Sequence, residues 1–329
     1  MRGERRSNFS YHNPVRRLAL LLAATVLSLL ALEGILRVGF ADRFHVRSEA
    51  RSLVYDFDPE LGWFPEPGSE RTMTGSRTFH VRHNSRGFRD PEPAGKTRPR
   101  LAVLGDSYVW GFDAEEEERF TNRLQERMPG WEIVNLGVSG YGTDQALLLL
   151  EKHIDFYSPD VVFLVFTEQN DRIDNSHNRV YEHYYKPYYV ETAGKLELRG
   201  TPVPRPLPYW QRQHPWISKS ALATALVDAW TRIRHPSVEV PDRSEQLVVA
   251  MRDLAHAHGA GFAFGIEGQN PDWQWTEFAR EHRIPAVHLN NPHRYPEFGG
   301  HWTPAGHEIV AERIYGLLQR SGWIAGTPP

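Results

Sequence analysis

With 329 residues, 40% of them hydrophobic and 24% charged, the chain is long enough to bury a full core as one large or two small domains. Its 38 Lys and Arg against 41 Asp and Glu give a net charge of −3; this offers no general attraction to nucleic acid, and no basic stripe is interleaved with aromatics. There is no cysteine, which excludes disulfides, thiol catalysis and thiolate metal sites together.

Residues 1–17 form a short basic tail with Arg2, Arg5, Arg6, Arg16 and Arg17. Leu18 to Leu36 follows, 19 residues interrupted by the single charge of Glu33. At 1.5 Å per residue that is roughly 28 Å of helix, just enough to cross a bilayer. The leading arginines favour a cytoplasmic amino terminus, by a narrow margin because Arg37, Arg43, Arg47 and Arg51 stand on the far side. Gly39 and Ala41 also suit a signal-peptide cleavage site; Arg37 and the length of the run favour an uncleaved anchor.

Residues 37–98 read as a membrane-proximal extension with short strands such as Thr78-Phe79-His80-Val81-Arg82, broken at Glu66-Pro67-Gly68 and Pro91-Glu92-Pro93. An alternating series then begins at residue 99: strand 101–105, helix 117–128, strand 132–136, helix 143–156, strand 160–166. Such alternation predicts a parallel sheet covered on both faces, an α/β/α domain of three layers reaching to residue 329. From 172 to 240 the alternation stops in an insertion rich in Tyr, Pro and Trp, whose rings serve either to pack it onto the body or to stack on sugars. A helix near Arg243–His258, strands 261–266 and 285–289 and a last helix over 304–319 complete the series.

Four segments at the ends of these strands carry the chemistry. Gly105-Asp106-Ser107-Tyr108 follows the apolar run Leu101–Leu104, which places a serine at a strand-to-helix turn; the same residues also suit a helix cap. Asn135-Leu136-Gly137-Val138-Ser139-Gly140, then Thr167-Glu168-Gln169-Asn170-Asp171, then His301-Trp302-Thr303-Pro304-Ala305-Gly306-His307 come after it in order. A serine hydroxyl needs an imidazole to take its proton, and the developing oxyanion needs preorganised N–H donors. Ser107 and His301 fit the first requirement, Gly137 and Asn170 the second.

Over residues 99 to 318 this ordered set resembles the blocks of the SGNH (GDSL-type) hydrolase superfamily, which includes esterases, lipases, carbohydrate deacetylases and O-acetyltransferases. The resemblance implies a flavodoxin-like fold with Ser107 as nucleophile, His301 as base, and an oxyanion hole from Ser107, Gly137 and Asn170. Family members usually carry an aspartate two or three residues before the histidine; here Gly299 and Phe298 stand there, and the nearest acid, Glu297, is the candidate to orient the ring. A backbone carbonyl in that role, or an inactive site, are the alternatives. His293, His301, His307 and Glu297 match no zinc spacing, so no metal or other cofactor is expected.

The sequence thus points to an esterase or O-acyltransferase acting on an acyl, foremost acetyl, ester of an extracytoplasmic glycan or another small ester. It would be held by one span in the inner membrane, with its catalytic domain in the periplasm. The rival is a glycan-binding or polysaccharide-assembly subunit that keeps the fold without turnover.

Overall fold

The structure is a computed structural model that describes residues 14–39, 55–268 and 273–324. The tail over 1–13 and the arginines at 43, 47 and 51 lie outside the described residues. The elements in chain order are α1 (Pro14–Gly39), the strands β1 (Tyr55–Asp58), β2 (Gly62–Pro65), β3 (Glu70–Thr74), β4 (Thr78–Arg82) and β5 (Arg100–Leu104), and then α2 (Ser107–Trp110). Next come α3 (Phe120–Arg127), β6 (Glu132–Asn135), α4 (Thr143–Tyr157), β7 (Val161–Thr167) and α5 (Glu168–Asp174). The insertion adds β8 (Arg179–Val180), β9 (Tyr184–Tyr185), β10 (Tyr188–Thr192), β11 (Lys195–Arg199), α6 (Leu207–Gln213), α7 (Pro215–Ser218) and α8 (Ala221–Arg234). The chain closes with α9 (Ser244–Ala257), β12 (Gly261–Glu267), α10 (Trp273–Glu281), β13 (Ala286–His288) and α11 (Pro304–Arg320).

Two compact units result, one from residues 1–47 with 210–234, the other from 48–209 with 235–329. The larger unit is built on a five-stranded sheet in the order β13-β12-β7-β5-β6, every pairing parallel. Counted along the chain, those strands run 2-1-3-4-5 across the sheet, the doubly wound order of flavodoxin-like folds. Period-2 alternation sends successive side chains to opposite faces. Ala102, Leu104, Val162, Leu164, Phe264 and Ile266 join one core with α4 and α9. Leu101, Val103, Val161, Phe163 and Val165 join the other with α3 and α11. The result is three layers, with every sheet strand that is buried on both faces reading as a continuous apolar run.

Two local departures have physical causes. The helix expected from residue 117 starts at Phe120, because Glu116–Glu118 form a tight 3-10 turn first. The helix α10 is additional; Trp275, Phe278 and Ala279, at i, i+3 and i+4, are the buried stripe that fixes it. The stretch from 55 to 98 does more than lead away from a membrane. Its hairpins β1–β2 and β3–β4 bury Tyr55, Trp63, Phe79 and Val81 in the same core as α4. In the insertion, Tyr184, Tyr185 and Tyr189 are buried, and Tyr184 meets Trp63 edge-on at 5.8 Å. Most of these rings therefore pack, while Tyr181 stays exposed.

One buried contact ties the hairpins to the helix that carries Ser107. Trp110 Nε1 donates to His83 Nε2 at 3.1 Å. An indole is a donor only, so the proton of the imidazole sits on Nδ1 and is donated to Ser69 Oγ at 2.9 Å. Burial, reinforced by the charges of Arg89 and Arg119, holds His83 down at about 3. The unfolded chain binds a proton there below the ordinary histidine value near 6.5 and the folded chain does not, so stability is complete above that value and is lost as pH falls towards 3. Between pH 7.5 and 5 this one ring accounts for about 2 kcal/mol of lost stability. Urea unfolding at the two pH values checks it: His83→Gln, which can keep both hydrogen bonds, narrows the difference by that amount, and an unchanged difference contradicts the assignment.

Candidate active site

Ligand sites in doubly wound sheets lie beyond the carboxyl ends of the strands, where the strand order reverses. Here that point lies between β5 and β7, and the chain places Ser107 just after β5 and Asn170 just after β7. The cap reading and the nucleophile reading of Gly-Asp-Ser prove compatible. Asp106 is the N-cap of α2, accepting from Tyr108 N at 3.0 Å. Ser107, the next residue, is thereby turned towards the last loop of the domain.

His301 Nε2 lies 2.8 Å from Ser107 Oγ across 194 positions of sequence, and both residues are buried. The ring stacks on Phe112 at 4.7 Å between centroids and leans on Tyr108 at 5.1 Å. Its loop is braced from behind. Tyr108 Oη donates to Gly299 O and Gly300 O at 3.1 and 3.2 Å. Arg294 Nη1 donates to Tyr108 Oη at 3.0 Å, while Nη2 pairs with Glu267 at the end of β12. Burial pushes the Tyr108 phenol up to about 12, so it stays a hydrogen-bond donor over the working range.

The group beyond the imidazole is Asp113 rather than Glu297. Asp113 Oδ2 stands 4.0 Å from His301 Nδ1; it is fully buried and makes no hydrogen bond among the described residues. Oδ1 accepts from Ser76 N at 2.9 Å, which aims the carboxyl. The acid is delivered by the end of α2: Gly111 turns the chain in the left-handed conformation (φ 86) and Asp113 (φ 64) repeats it, so six residues suffice to pass around the ring. Glu297 is exposed and contributes its backbone carbonyl to Ser76 Oγ at 3.3 Å. Gly299, where the customary aspartate would stand, has φ 90, and a Cβ there would lie 3.3 Å from His301 Cε1. An aspartate at 299 would be strained, and Asp113 occupies the far side instead. Burial raises the Asp113 carboxyl, with the hydrogen bonds from Ser76 and Arg77 opposing. A separation of 4.0 Å is longer than a hydrogen bond; such contacts commonly tighten when substrate binds.

The N–H groups of the expected oxyanion hole differ in whether they are already engaged. Gly137 N donates to Asn135 Oδ1 at 2.9 Å and is committed. What Gly137 provides is close approach: a Cβ there would lie 2.6 Å from Trp110 N and from Val109, so the loop could not reach α2. Gly140, three residues on, is buried, and among the described residues its N–H enters no hydrogen bond. Ser107 N begins α2 and has no intrahelical partner. Asn170 Nδ2 donates one hydrogen to Asp106 Oδ2 at 3.2 Å, leaving its second for another acceptor. Burial and the neighbouring Asp106 carboxylate raise Asp171 well above the ordinary carboxylate value.

His307 is apart from this chemistry. It lies in the first turn of α11, where Nδ1 accepts from Phe120 N at 3.3 Å. Among the described residues no group of three or more His, Asp or Glu is arranged to hold a metal ion.

No protein-family model matches the chain, and no curated protein matches it. Among solved structures it is similar to the psychrotrophic esterase EstA from a Pseudoalteromonas species, at 11% identity and a TM-score of 0.40 over 68% of this chain and 99% of that one. A member of the lipolytic G-D-S-L family from Veillonella parvula matches at 13% identity and a TM-score of 0.41, over 67% and 98%. A two-domain esterase active on acetylated mannans matches at 14% identity and 0.38, over 70% of this chain and 51% of that one.

The geometry predicts which carboxyl matters. Asp113→Asn lowers kcat/KM for a soluble ester by roughly 10³–10⁴-fold, as loss of the orienting acid does elsewhere, and Glu297→Gln leaves it unchanged. Steady-state kinetics of the two variants check this; the reverse ranking contradicts it.

Proposed function

We propose that this chain is a serine ester hydrolase or O-acyltransferase of SGNH type, acting on an acyl, foremost acetyl, ester of an extracytoplasmic glycan. The observation that carries the reading is the 2.8 Å contact between His301 Nε2 and Ser107 Oγ, with the Asp113 carboxyl 4.0 Å behind the ring. A nucleophile, its base and a charge for the protonated base thus stand in line.

In this mechanism His301 Nε2 takes the proton of Ser107 Oγ as the oxygen attacks the acyl carbonyl carbon. The carbonyl π electrons move onto oxygen, where the amides of Ser107 and Gly140 and the free Asn170 N–H stabilise the charge; one such donor is worth about 3 kcal/mol in comparable sites. Collapse breaks the bond to the leaving alcohol, which receives the proton from His301. An acyl acceptor then attacks the acyl carbon and gives its proton to His301; collapse of this second tetrahedral intermediate breaks the acyl–Oγ bond, and His301 returns the proton to Ser107 Oγ. Water as acceptor makes the protein a hydrolase, and a sugar hydroxyl makes it a transferase; exclusion of water decides between them. The glycan assignment draws on the family resemblance and on the exposed ring of Tyr181 in the insertion. The location draws on α1, which is long and apolar enough to cross a membrane.

Purified full-length protein in detergent is expected to hydrolyse an aryl acetate and to react with a fluorophosphonate probe. Ser107→Ala abolishes the labelling and lowers kcat/KM at least about 10³-fold. Asn170→Ala, which deletes a side-chain oxyanion donor, lowers it about 10²–10³-fold. Turnover unaffected by Ser107→Ala removes that residue from the mechanism, and absence of both turnover and labelling favours the binding subunit.

A further inference from the structure

The smaller unit contains a helix built inside out. Along α8 the exposed residues Leu226, Ala229, Trp230 and Ile233 fall at i, i+3, i+4 and i+7, one continuous apolar stripe. Leu226 is 62% exposed, Trp230 51% and Ile233 81%. The residues turned inward are Thr224 and Thr231, with Thr231 Oγ1 donating to Val227 O at 2.8 Å. In water this arrangement is unfavourable, since an apolar face is left wet.

The helix is fastened to α1 by the charge that interrupts the apolar run. Glu33 accepts from Ser220 Oγ at 2.9 Å, from Ala221 N at 3.0 Å and from Leu222 N at 2.8 Å, so a carboxylate of α1 caps the amino terminus of α8. Arg37, one turn on, donates to Lys219 O. On α1 only Glu33 and Leu36 are partly covered; Leu18 to Leu32 are bare. The two helices therefore meet only near the carboxyl end of the span, the level at which a helix crossing a bilayer reaches its polar boundary. At the other end of α8, Arg232 pairs with Asp228 at 2.7 Å and the Arg234 guanidinium lies 5.5 Å over the Trp230 ring. A tryptophan beside basic side chains suits the headgroup region.

We propose that α8 is a second membrane contact: it lies in the interface of the bilayer crossed by α1, with Leu226, Ala229, Trp230 and Ile233 inserted among the acyl chains and Arg232 and Arg234 at the headgroups. Lipid is the occupant because the stripe belongs to the same compact unit as the bare surface of α1 and is joined to it at the membrane boundary. Glu33 is then the residue that couples span to interfacial helix, which accounts for a charge inside an otherwise apolar run.

The natural absence of cysteine allows a direct test. Full-length Leu226→Cys, Trp230→Cys and Ile233→Cys are labelled with an environment-sensitive dye and reconstituted into vesicles of phosphatidylcholine and phosphatidylglycerol. Leu27→Cys reports the span and Glu197→Cys the aqueous surface. The proposal predicts blue-shifted emission at 226, 230 and 233, strong quenching by nitroxide carried on the acyl chains, and iodide quenching several-fold weaker than at 197. Aqueous behaviour at these three positions while position 27 is lipid-quenched overturns the proposal and leaves the span intact. Aqueous behaviour at 27 as well overturns both. Protection of the three positions from both quenchers overturns it in favour of a protein partner or second copy.

Discussion

The active-site arrangement depends on holding one imidazole between a serine and a buried carboxyl although its loop is 194 residues distant from that serine. The parallel sheet makes this possible. Because every strand ends on the same side, the turns after β5 and β7 and the loop before α11 are brought to one edge without long excursions. The imidazole is then fixed by packing between Phe112 and Tyr108 and by the brace that runs from Glu267 through Arg294 to the Tyr108 hydroxyl. Preorganisation of this kind is what lets a serine of ordinary acidity act as a nucleophile.

The acid follows a different logic from the base. An aspartate close before the histidine would move with the histidine loop. Asp113 instead follows the helix that begins with Ser107, reached through the turn that ends α2 and aimed by Ser76 from the β3–β4 hairpin. This gives the region from 55 to 98 a part in the site: Ser76 orients Asp113, and His83 with Trp110 fixes the helix that bears Ser107. Losing the aspartate before the histidine therefore does not leave the ring without a facing carboxyl.

What could be read from the sequence divides along physical lines. The sheet and its covering helices were legible because uninterrupted apolar runs such as Val161–Phe166 and the stripes of α4, α9 and α11 are local signals. Ser107 and Asn170 could be singled out because each sits in a short motif just after a sheet strand, and His301 because its motif leads into α11. Asp113 was not, because its relation to His301 is set by two left-handed turns at Gly111 and Asp113, which a spacing rule cannot register. That the Gly137 amide is already engaged was not legible either, because its hydrogen bond to Asn135 Oδ1 appears only in the fold. The helix α8 lies in the insertion where no element was expected, and which of its sides faces outward depends on what α1 leaves uncovered.

If acyl transfer passes through the oxygen of Ser107, the covalent intermediate can be trapped there. Protein mixed with an aryl acetate, quenched in acid within the first turnovers and digested, should carry one added acetyl mass on the peptide containing Ser107 and on no other. Turnover with the acetyl group on a different residue, or with no acylated peptide even when the second step is slowed by a poor acceptor, would contradict the account.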